Sequence, residues 1–309
     1  MAVQGKALIT GASGVVGRAL KSELTRAGYD VFAADHTHGD LRVAAEAQSL
    51  LEEVRPNSVI HLAGRVHGLM GNIGSQGEAF YDNAMMNINV IEASRRVGVS
   101  KFVAMGSTAI YSDEVPLPMR ETDLWIGEPH GSERGYGHAK RAMVAQLEAY
   151  RHQYGMDYAF VVSTNLYGPG DRFDETHGHV LPSLVSKFHR AAVSGDRLVV
   201  WGSGTPTRDF LYSADAAAAL RTILEGFSGT INMATGASVT IREAVETLAK
   251  VSGFDGEVVW DLSKPDGQHA RLYDTSRLRA LGWTPKVTLE DGLRETYEWY
   301  AQNNASARR

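Results

Sequence analysis

No cysteine occurs among the 309 residues of this chain. That absence excludes disulfide bridges, thiolate nucleophiles and cysteine-ligated metal sites. No constellation of metal ligands takes their place, so no metal is expected. Basic residues are scattered rather than blocked. With 31 Lys and Arg against 36 Asp and Glu, the net charge is −5, and the electrostatic footprint of a nucleic-acid binder is missing. No apolar run approaches the roughly 18 residues that cross a bilayer. The opening MAVQGKALIT enters a strand pattern directly, without the basic and apolar stretches of a secretory signal. There is no internal repeat and no low-complexity segment. These absences predict a cytoplasmic enzyme or binding protein with no nucleic-acid or membrane partner.

What is present is a regular alternation of strand and helix patterns. KALITG, YDVFAAD, SVIHLAG, KFVAMGS and YAFVVSTNLYG read as five short buried strands. Between them lie helical patterns: GVVGRALKSELTRAG, the segment from Leu41 to Val54, EAFYDNAMMNINVIEASRRVG and SERGYGHAKRAMVAQLEAYRHQYG. Such alternation implies an α/β fold, a Rossmann-type doubly wound parallel sheet. After Gly168 the pattern breaks into a loop, PGDRFDETHGH, followed by further helices and short strands with turns at GSGTP and SKPDG. With 43% hydrophobic residues, the chain can build one large domain or two coupled ones. The expected division is a dinucleotide-binding domain over 1–168, joined by a returning segment near 210–236, and a smaller C-terminal substrate-binding lobe over 169–209 and 237–309. The last residues, NNASARR, are expected to fray.

Three motifs carry chemistry. In TGASGVVG, Gly11, Gly14 and Gly17 follow a strand and open a helix. Glycines allow a tight turn and close approach of a pyrophosphate, and the helix N-terminus offers amides to it. The turn brings Ser13, Val15 and Val16 into the expected cofactor site, as Leu62, Ala63 and Gly64 at the end of the third strand are. Asp35 ends the second strand in VFAADH. A carboxylate there accepts the adenosine ribose hydroxyls and repels a 2′-phosphate, so it predicts NAD over NADP. Asp40 and Leu41 are placed beside the adenine. In YGHAK, Tyr136 and Lys140 stand one helical turn apart. An ammonium at that spacing is expected to lower the tyrosine pKa and fit it for proton transfer. The stretch GSTAIYSD, residues 106–113, puts Ser107 and Thr108 at the end of the fourth strand, where a serine either caps the strand end or faces a substrate carbonyl.

The glycine turn, the GST stretch and Y-x-x-x-K together resemble the extended short-chain dehydrogenase/reductase family, over nearly the whole chain. The resemblance implies that Ser107 bonds the reacting oxygen, with Thr108 assisting. It makes Tyr136 the proton donor or acceptor, and has Lys140 tune it and hold the nicotinamide ribose. HLAGRVHGLMGN, NLYGPGDRFD through HVLPS, VVWGSGTPTRDFLY and DLSKPDGQHARLYDTSRLRALGW resemble, more narrowly, GDP-L-fucose synthase and its relatives. Those enzymes epimerise a GDP-4-keto-6-deoxyhexose at C3 and C5 and reduce C4 with NADPH. The likeness implies a nucleoside-diphosphate sugar as partner, GDP-linked in preference to ADP-, UDP- or dTDP-linked, and a homodimer. It places Asn165 and His179 near the sugar and Lys187, Arg208 and Arg271 near the diphosphate, with Val180 and Trp201 also at the substrate.

Two positions depart from that pattern. The family's C3/C5 base is a cysteine, and Ala109 stands in its place; His179, the matching acid, is retained. Asp35 is the second departure. Together they predict an NAD enzyme acting at C4 alone, a 4-epimerase or 4-dehydrogenase. The alternative is a C4 reductase of a GDP-4-keto sugar, using NADP(H). A non-catalytic dinucleotide sensor is the reading from another class, disfavoured because Tyr136 and Lys140 are both present.

Overall fold

The computed structural model describes residues 4–66, 74–175, 178–264, 266 and 268–308. Of the stretches quoted above, 1–3, 67–72, 176–177, 265, 267 and 309 lie outside the described residues. Six parallel strands build the central sheet: β1 (Lys6–Thr10), β2 (Asp30–Ala34), β3 (Ser58–His61), β4 (Lys101–Met105), β5 (Tyr158–Ser163) and β10 (Gly229–Met233). Their order is β10-β5-β4-β3-β1-β2. The chain moves one way from β1 to β2 and the other way from β1 to β3, so the winding reverses between β1 and β3. Crevices at such a reversal, beyond the carboxyl ends of the strands, are where ligands bind in open α/β sheets.

Alternate residues of each strand feed two cores, as the two-residue strand period requires. Leu8, Phe102 and Phe160 face α2 (Ala44–Val54), α3 (Gln76–Val97) and α4 (Arg134–Tyr154), packing with Leu51, Val90 and Leu147. Ile9, Val103 and Val161 face α1 (Val15–Arg26) and α6 (Ser213–Gly226), packing with Leu20, Leu24 and Leu220. A third core lies away from the sheet. It joins α5 (Val180–Ser194), α7 (Ile241–Ser252) and α9 (Leu289–Asn303) through Phe188, Leu248, Leu293 and Tyr300. The parallel pair β7 (Leu198–Trp201) and β12 (Val258–Asp261) completes that lobe; β8 (Thr207–Arg208) and β11 (Val239–Thr240) form a short antiparallel pair, and α8 (Ser276–Ala280) is a helix of five residues.

The structure departs from the sequence pattern in three places. YAFVVSTNLYG is two strands, not one. Thr164 hands its hydroxyl to the Asp209 carbonyl at 2.8 Å, and the chain then leaves the sheet as β6 (Asn165–Tyr167), which pairs in parallel with β9 (Phe210–Tyr212). α2 begins at Ala44 rather than Leu41, because Asn89 Nδ2 donates to the Leu41 and Arg42 carbonyls and holds them in a turn. Met143 and Val144 on α4 are buried in the core, while Met85 and Met86 on α3 are half-buried. Residues 304–308, expected to fray, are tied down. The Arg308 carbonyl accepts the Phe173 amide at 2.8 Å, and Asn304 pairs with His189 at 2.9 Å.

One buried polar group ties sheet to helix. His61 ends β3 with Nδ1 2.7 Å from Thr10 Oγ1 and Nε2 3.1 Å from Asn87 Oδ1 on α3. Burial, with the Lys140 charge nearby, pushes its pKa down to about 3. The unfolded chain takes up this proton below about pH 6.5 and the folded chain does not, so this residue's contribution to stability falls as pH drops from 6.5 toward 3. Between pH 7 and pH 5 we expect wild type to lose about 2 kcal/mol more unfolding free energy than His61→Gln. Urea titrations of both proteins at the two pH values check this; an identical pH dependence overturns it.

Candidate active site

The glycine turn is shaped by contacts that leave no room for side chains at two of its three glycines. A Cβ on Gly11, whose φ is +70°, would lie 2.7 Å from the Ala63 amide nitrogen. A Cβ on Gly17 would lie 2.6 Å from the Ala12 Cα. These positions press β1 against the end of β3 and α1 against the turn. Gly14 is different: a Cβ there meets only the Gly11 carbonyl, at 3.3 Å. Its bare Cα lines a cavity of about 520 Å³ that runs from the turn into the lobe. The first amides of α1 have no side-chain cap, so the N-terminal end of that helix is open to an anion. The residues fit a dinucleotide diphosphate at this place.

Ser107, Tyr136 and Lys140 line the same cavity. Ser107 caps the short helical turn at Thr108–Ile110, accepting the Ala109 amide at 3.2 Å, and its side chain lies close enough to Tyr136 to favour the phenolate. Lys140 is buried, with Nζ donating to the Met105 carbonyl at 2.8 Å and lying 5.6 Å from the centre of the Tyr136 ring. Its burial lowers its pKa to about 8. The expected lowering of the tyrosine pKa by Lys140 does not emerge. Burial and then the Glu133 carboxylate push Tyr136 upward, opposed by the Ser107 bond. Tyr136 therefore stands as the protonated phenol at neutral pH. Ala109 is buried against Tyr136 and Ala79 as a packing residue.

The lobe supplies the far wall. Lys187, its pKa lowered by burial, lies 4.9 Å from the Trp201 ring. Arg208 Nη1 donates to the Thr207 and Gln268 carbonyls at 2.8 and 2.7 Å. Arg271, only 2% exposed, donates Nε to Gln268 Oε1 at 2.6 Å. Its Nη2 is buried without a hydrogen-bond partner, as is Gln268 Nε2. Unsatisfied buried donors on a cavity wall mark where a polar ligand completes the bonding. His179 stands at the start of α5 without capping it through its side chain, and burial followed by the Arg172 charge lowers its pKa. Asn165, Val180 and Thr108 also line the cavity.

Five residues expected at the cofactor do not line the cavity, whereas Leu62, Gly64, Val15 and Val16 do. Ser13 accepts Arg18 Nε at its carbonyl, at 3.0 Å. Ala63 packs its backbone on Gly11. Asp40 is taken by Arg42 at 2.7 Å, and Leu41 packs toward the sheet core. Asp35 caps the turn at His36–His38. Its Oδ1 accepts the Thr37 hydroxyl at 2.6 Å and the Thr37 amide and His38 Nδ1 at 3.0 Å each, which holds its pKa down to about 2.

Sequence reading missed Glu133, Asp171, Arg172, Gln268 and Arg308, all of which reach the cavity. Glu133 offers the one local clue, since it precedes Tyr136 by three residues, one helical turn. Burial raises its pKa, opposed by Arg271, His130 and Arg208. The other four come from segments far apart in the chain. Among the described residues, no cluster of His, Asp and Glu could hold a metal ion, and no helix is long and apolar enough to cross a membrane.

Comparison with known proteins agrees with this geometry. Residues 7–234 match the family model described as the NAD dependent epimerase/dehydratase family. The chain is 39% identical over 300 residues to a GDP-L-fucose synthase of Sinorhizobium fredii, covering 96% of each protein. A GDP-L-fucose synthetase of Naegleria fowleri bound to NADP superposes with a TM-score of 0.91 at 30% identity, covering 100% of this chain and 98% of that one. A GDP-6-OMe-4-keto-L-xylo-heptose reductase of Campylobacter jejuni superposes with a TM-score of 0.91 at 28% identity, covering 98% and 99%.

The glycine contacts separate fold from binding. Gly11→Ala is expected to lower the melting temperature by several degrees, because its Cβ meets backbone. Gly14→Ala is expected to melt near wild type yet bind dinucleotide at least ~10-fold more weakly, because its methyl occupies ligand space. Calorimetric melting and nucleotide titration of both variants check the contrast; tight binding by Gly14→Ala would sink it.

Proposed function

This chain belongs to the NAD dependent epimerase/dehydratase family, and on that footing we propose that it reduces the C4 ketone of a GDP-4-keto sugar, a hexose or a heptose. It is an NAD(P)-dependent nucleotide-sugar enzyme of the extended short-chain dehydrogenase/reductase type. NADPH is the favoured reductant. The observation that carries the direction is the likeness over full length to GDP-L-fucose synthases and to a GDP-6-OMe-4-keto-L-xylo-heptose reductase; Tyr136, a phenol beside Ser107, is the proton donor that reduction needs. Oxidation of an alcohol asks the same residue to accept a proton.

The residues divide the work as follows. The cofactor, when bound, supplies the hydride that C4 receives. Ser107 holds the ketone oxygen, and Tyr136 passes its proton to that oxygen as negative charge develops there. Lys140 keeps one N–H on the Met105 carbonyl, leaving its others for the nicotinamide ribose. Lys187, Arg208 and Arg271 hold the substrate diphosphate, their charges matched to its own. Asn165, His179, Val180 and Trp201 shape the sugar wall. Ala109 offers no base for C3 or C5, so the sugar should keep its configuration at both carbons.

The relatives' names favour this reductase over the 4-epimerase and 4-dehydrogenase expected from Ala109 and Asp35. The first residue suits a C4 reductase equally well. The second argued for NAD, and the carboxylate that carried that argument is already bonded on Oδ1 by Thr37 and His38. A homodimer through α3 and α4 remains the proposed assembly, supported by the exposed Tyr81 and Ile88 on α3 and Tyr154 on α4.

With GDP-4-keto-6-deoxymannose and NADPH, wild type should form a C4-reduced product unchanged at C3 and C5, seen by NMR. Tyr136→Phe should lower kcat by ~10³-fold while cofactor affinity holds; near-normal turnover overturns the assignment of the proton donor. Asp35→Ala should shift the NADPH-over-NADH ratio of kcat/KM upward by ~10-fold, by removing a negative charge from the adenosine end. An unchanged ratio removes Asp35 from cofactor choice.

A further inference from the structure

The loop that follows β6 meets the end of the chain's last described segment on one wall of the cavity, and neither belongs to the chemistry above. Asp171 is buried. Its Oδ1 accepts the Arg172 amide at 2.7 Å, while its Oδ2 has no partner. Arg172 leaves a buried Nε without a partner, although its Nη2 lies 3.4 Å from Asp174. Arg308 is brought alongside by a main-chain clasp: its carbonyl accepts the Phe173 amide at 2.8 Å, and Arg172 and Arg308 form a parallel bridge. Phe173 anchors the clasp by packing on Trp299 and Tyr300 of α9, with ring centres 5.8 and 4.6 Å away. Arg308 is close enough to Asp171 to oppose the rise that burial imposes on that carboxyl. Asp171, Arg172 and Arg308 all line the cavity.

The position of this wall says which part of a ligand it meets. A Cβ on Gly170, whose φ is +78°, would lie 3.0 Å from the Arg18 guanidinium. Arg18 is on the first turn of α1 and donates Nε to Ser13 inside the glycine turn, at 3.0 Å. The loop at 169–172 therefore abuts the helix end that faces a dinucleotide diphosphate. Lys187, Arg208 and Arg271 arise from the lobe, and they already provide for the substrate diphosphate. An unpaired buried acceptor beside an unpaired buried donor asks for a ligand that both donates and accepts, as a ribose-phosphate unit does.

We propose that Arg172 and Arg308 form a second jaw on the dinucleotide's diphosphate, facing the glycine turn, with Asp171 Oδ2 accepting a hydroxyl of an adjoining ribose. The inference rests on the reading of the glycine turn as the dinucleotide site. It makes the segment after α9 part of the cofactor site, although it is distant in sequence from every motif that announces one. Two guanidiniums suit a diphosphate because each presents a planar fork of donors to its oxygens.

The test is calorimetric titration of the full chain with NADPH and, separately, with GDP. Arg308 is exposed and its clasp uses only main-chain atoms, so Arg308→Ala should keep the wild-type melting temperature. We expect NADPH to bind this variant ~10-fold more weakly, with Arg308→Lys recovering part of the loss, and GDP to bind as in wild type. The gap between wild type and Arg308→Ala should narrow at high salt. NADPH affinity unchanged in Arg308→Ala, or GDP weakened in place of NADPH, overturns the second jaw while leaving the glycine-turn reading intact. Failure of wild type to bind NADPH or NADH at all overturns both.

Discussion

The backbone contact between Gly11 and the end of β3 is the constraint on which the site depends. β1 and β3 are neighbours in the sheet, and their exits must diverge because the winding reverses between them. Only a residue without a Cβ, at positive φ, lets β1 turn away against the Ala63 backbone. The turn then delivers the open end of α1 to the crevice. Everything else that lines the cavity is placed relative to that helix end: the Tyr136 helix across β4, and the 169–172 loop that packs on Arg18.

Electrostatics divide the cavity into regions of different use. At its centre Tyr136 and Lys140 are both drawn toward their neutral forms by burial. The ammonium is held by the Met105 carbonyl, 5.6 Å from the centre of the tyrosine ring. A tyrosine so placed gives up a proton only when charge develops on an oxygen beside it, which is the condition that carbonyl reduction creates. On either side the walls turn cationic, with Lys187, Arg208 and Arg271 in the lobe and Arg172 and Arg308 near the glycine turn. A substrate and a cofactor that each carry a diphosphate call for two such patches, separated by an uncharged reacting centre. Glu133 and Asp171 temper those patches, and both carboxyls are raised by burial.

The arrangement also accounts for Ala109. Its methyl fills a buried space between Tyr136 and Ala79, where it steadies the first turn of the tyrosine helix. A methyl at this position serves packing and carries no group that could accept a proton.

Much of this protein was legible in its sequence because the signals are local. The glycine turn, the i, i+4 pair Tyr136–Lys140 and Ser107 after β4 each lie within one strand–turn–helix unit, so their spacing determines their geometry. The alternating pattern likewise implied the parallel sheet. Tertiary structure decided what depends on long-range contact. Thr164 bonding Asp209 split one expected strand into two. Helix packing sent Met143 and Val144 into the core, although nothing in their own segment distinguishes a core face from an interface. Burial reversed the expected pKa of Tyr136, because desolvation depends on every segment that covers a group. Arg308 joined the cavity through a bond to Phe173, 135 residues earlier in the chain. Periodicity records which residues share a face of one element. It carries no record of which distant segment will close over them.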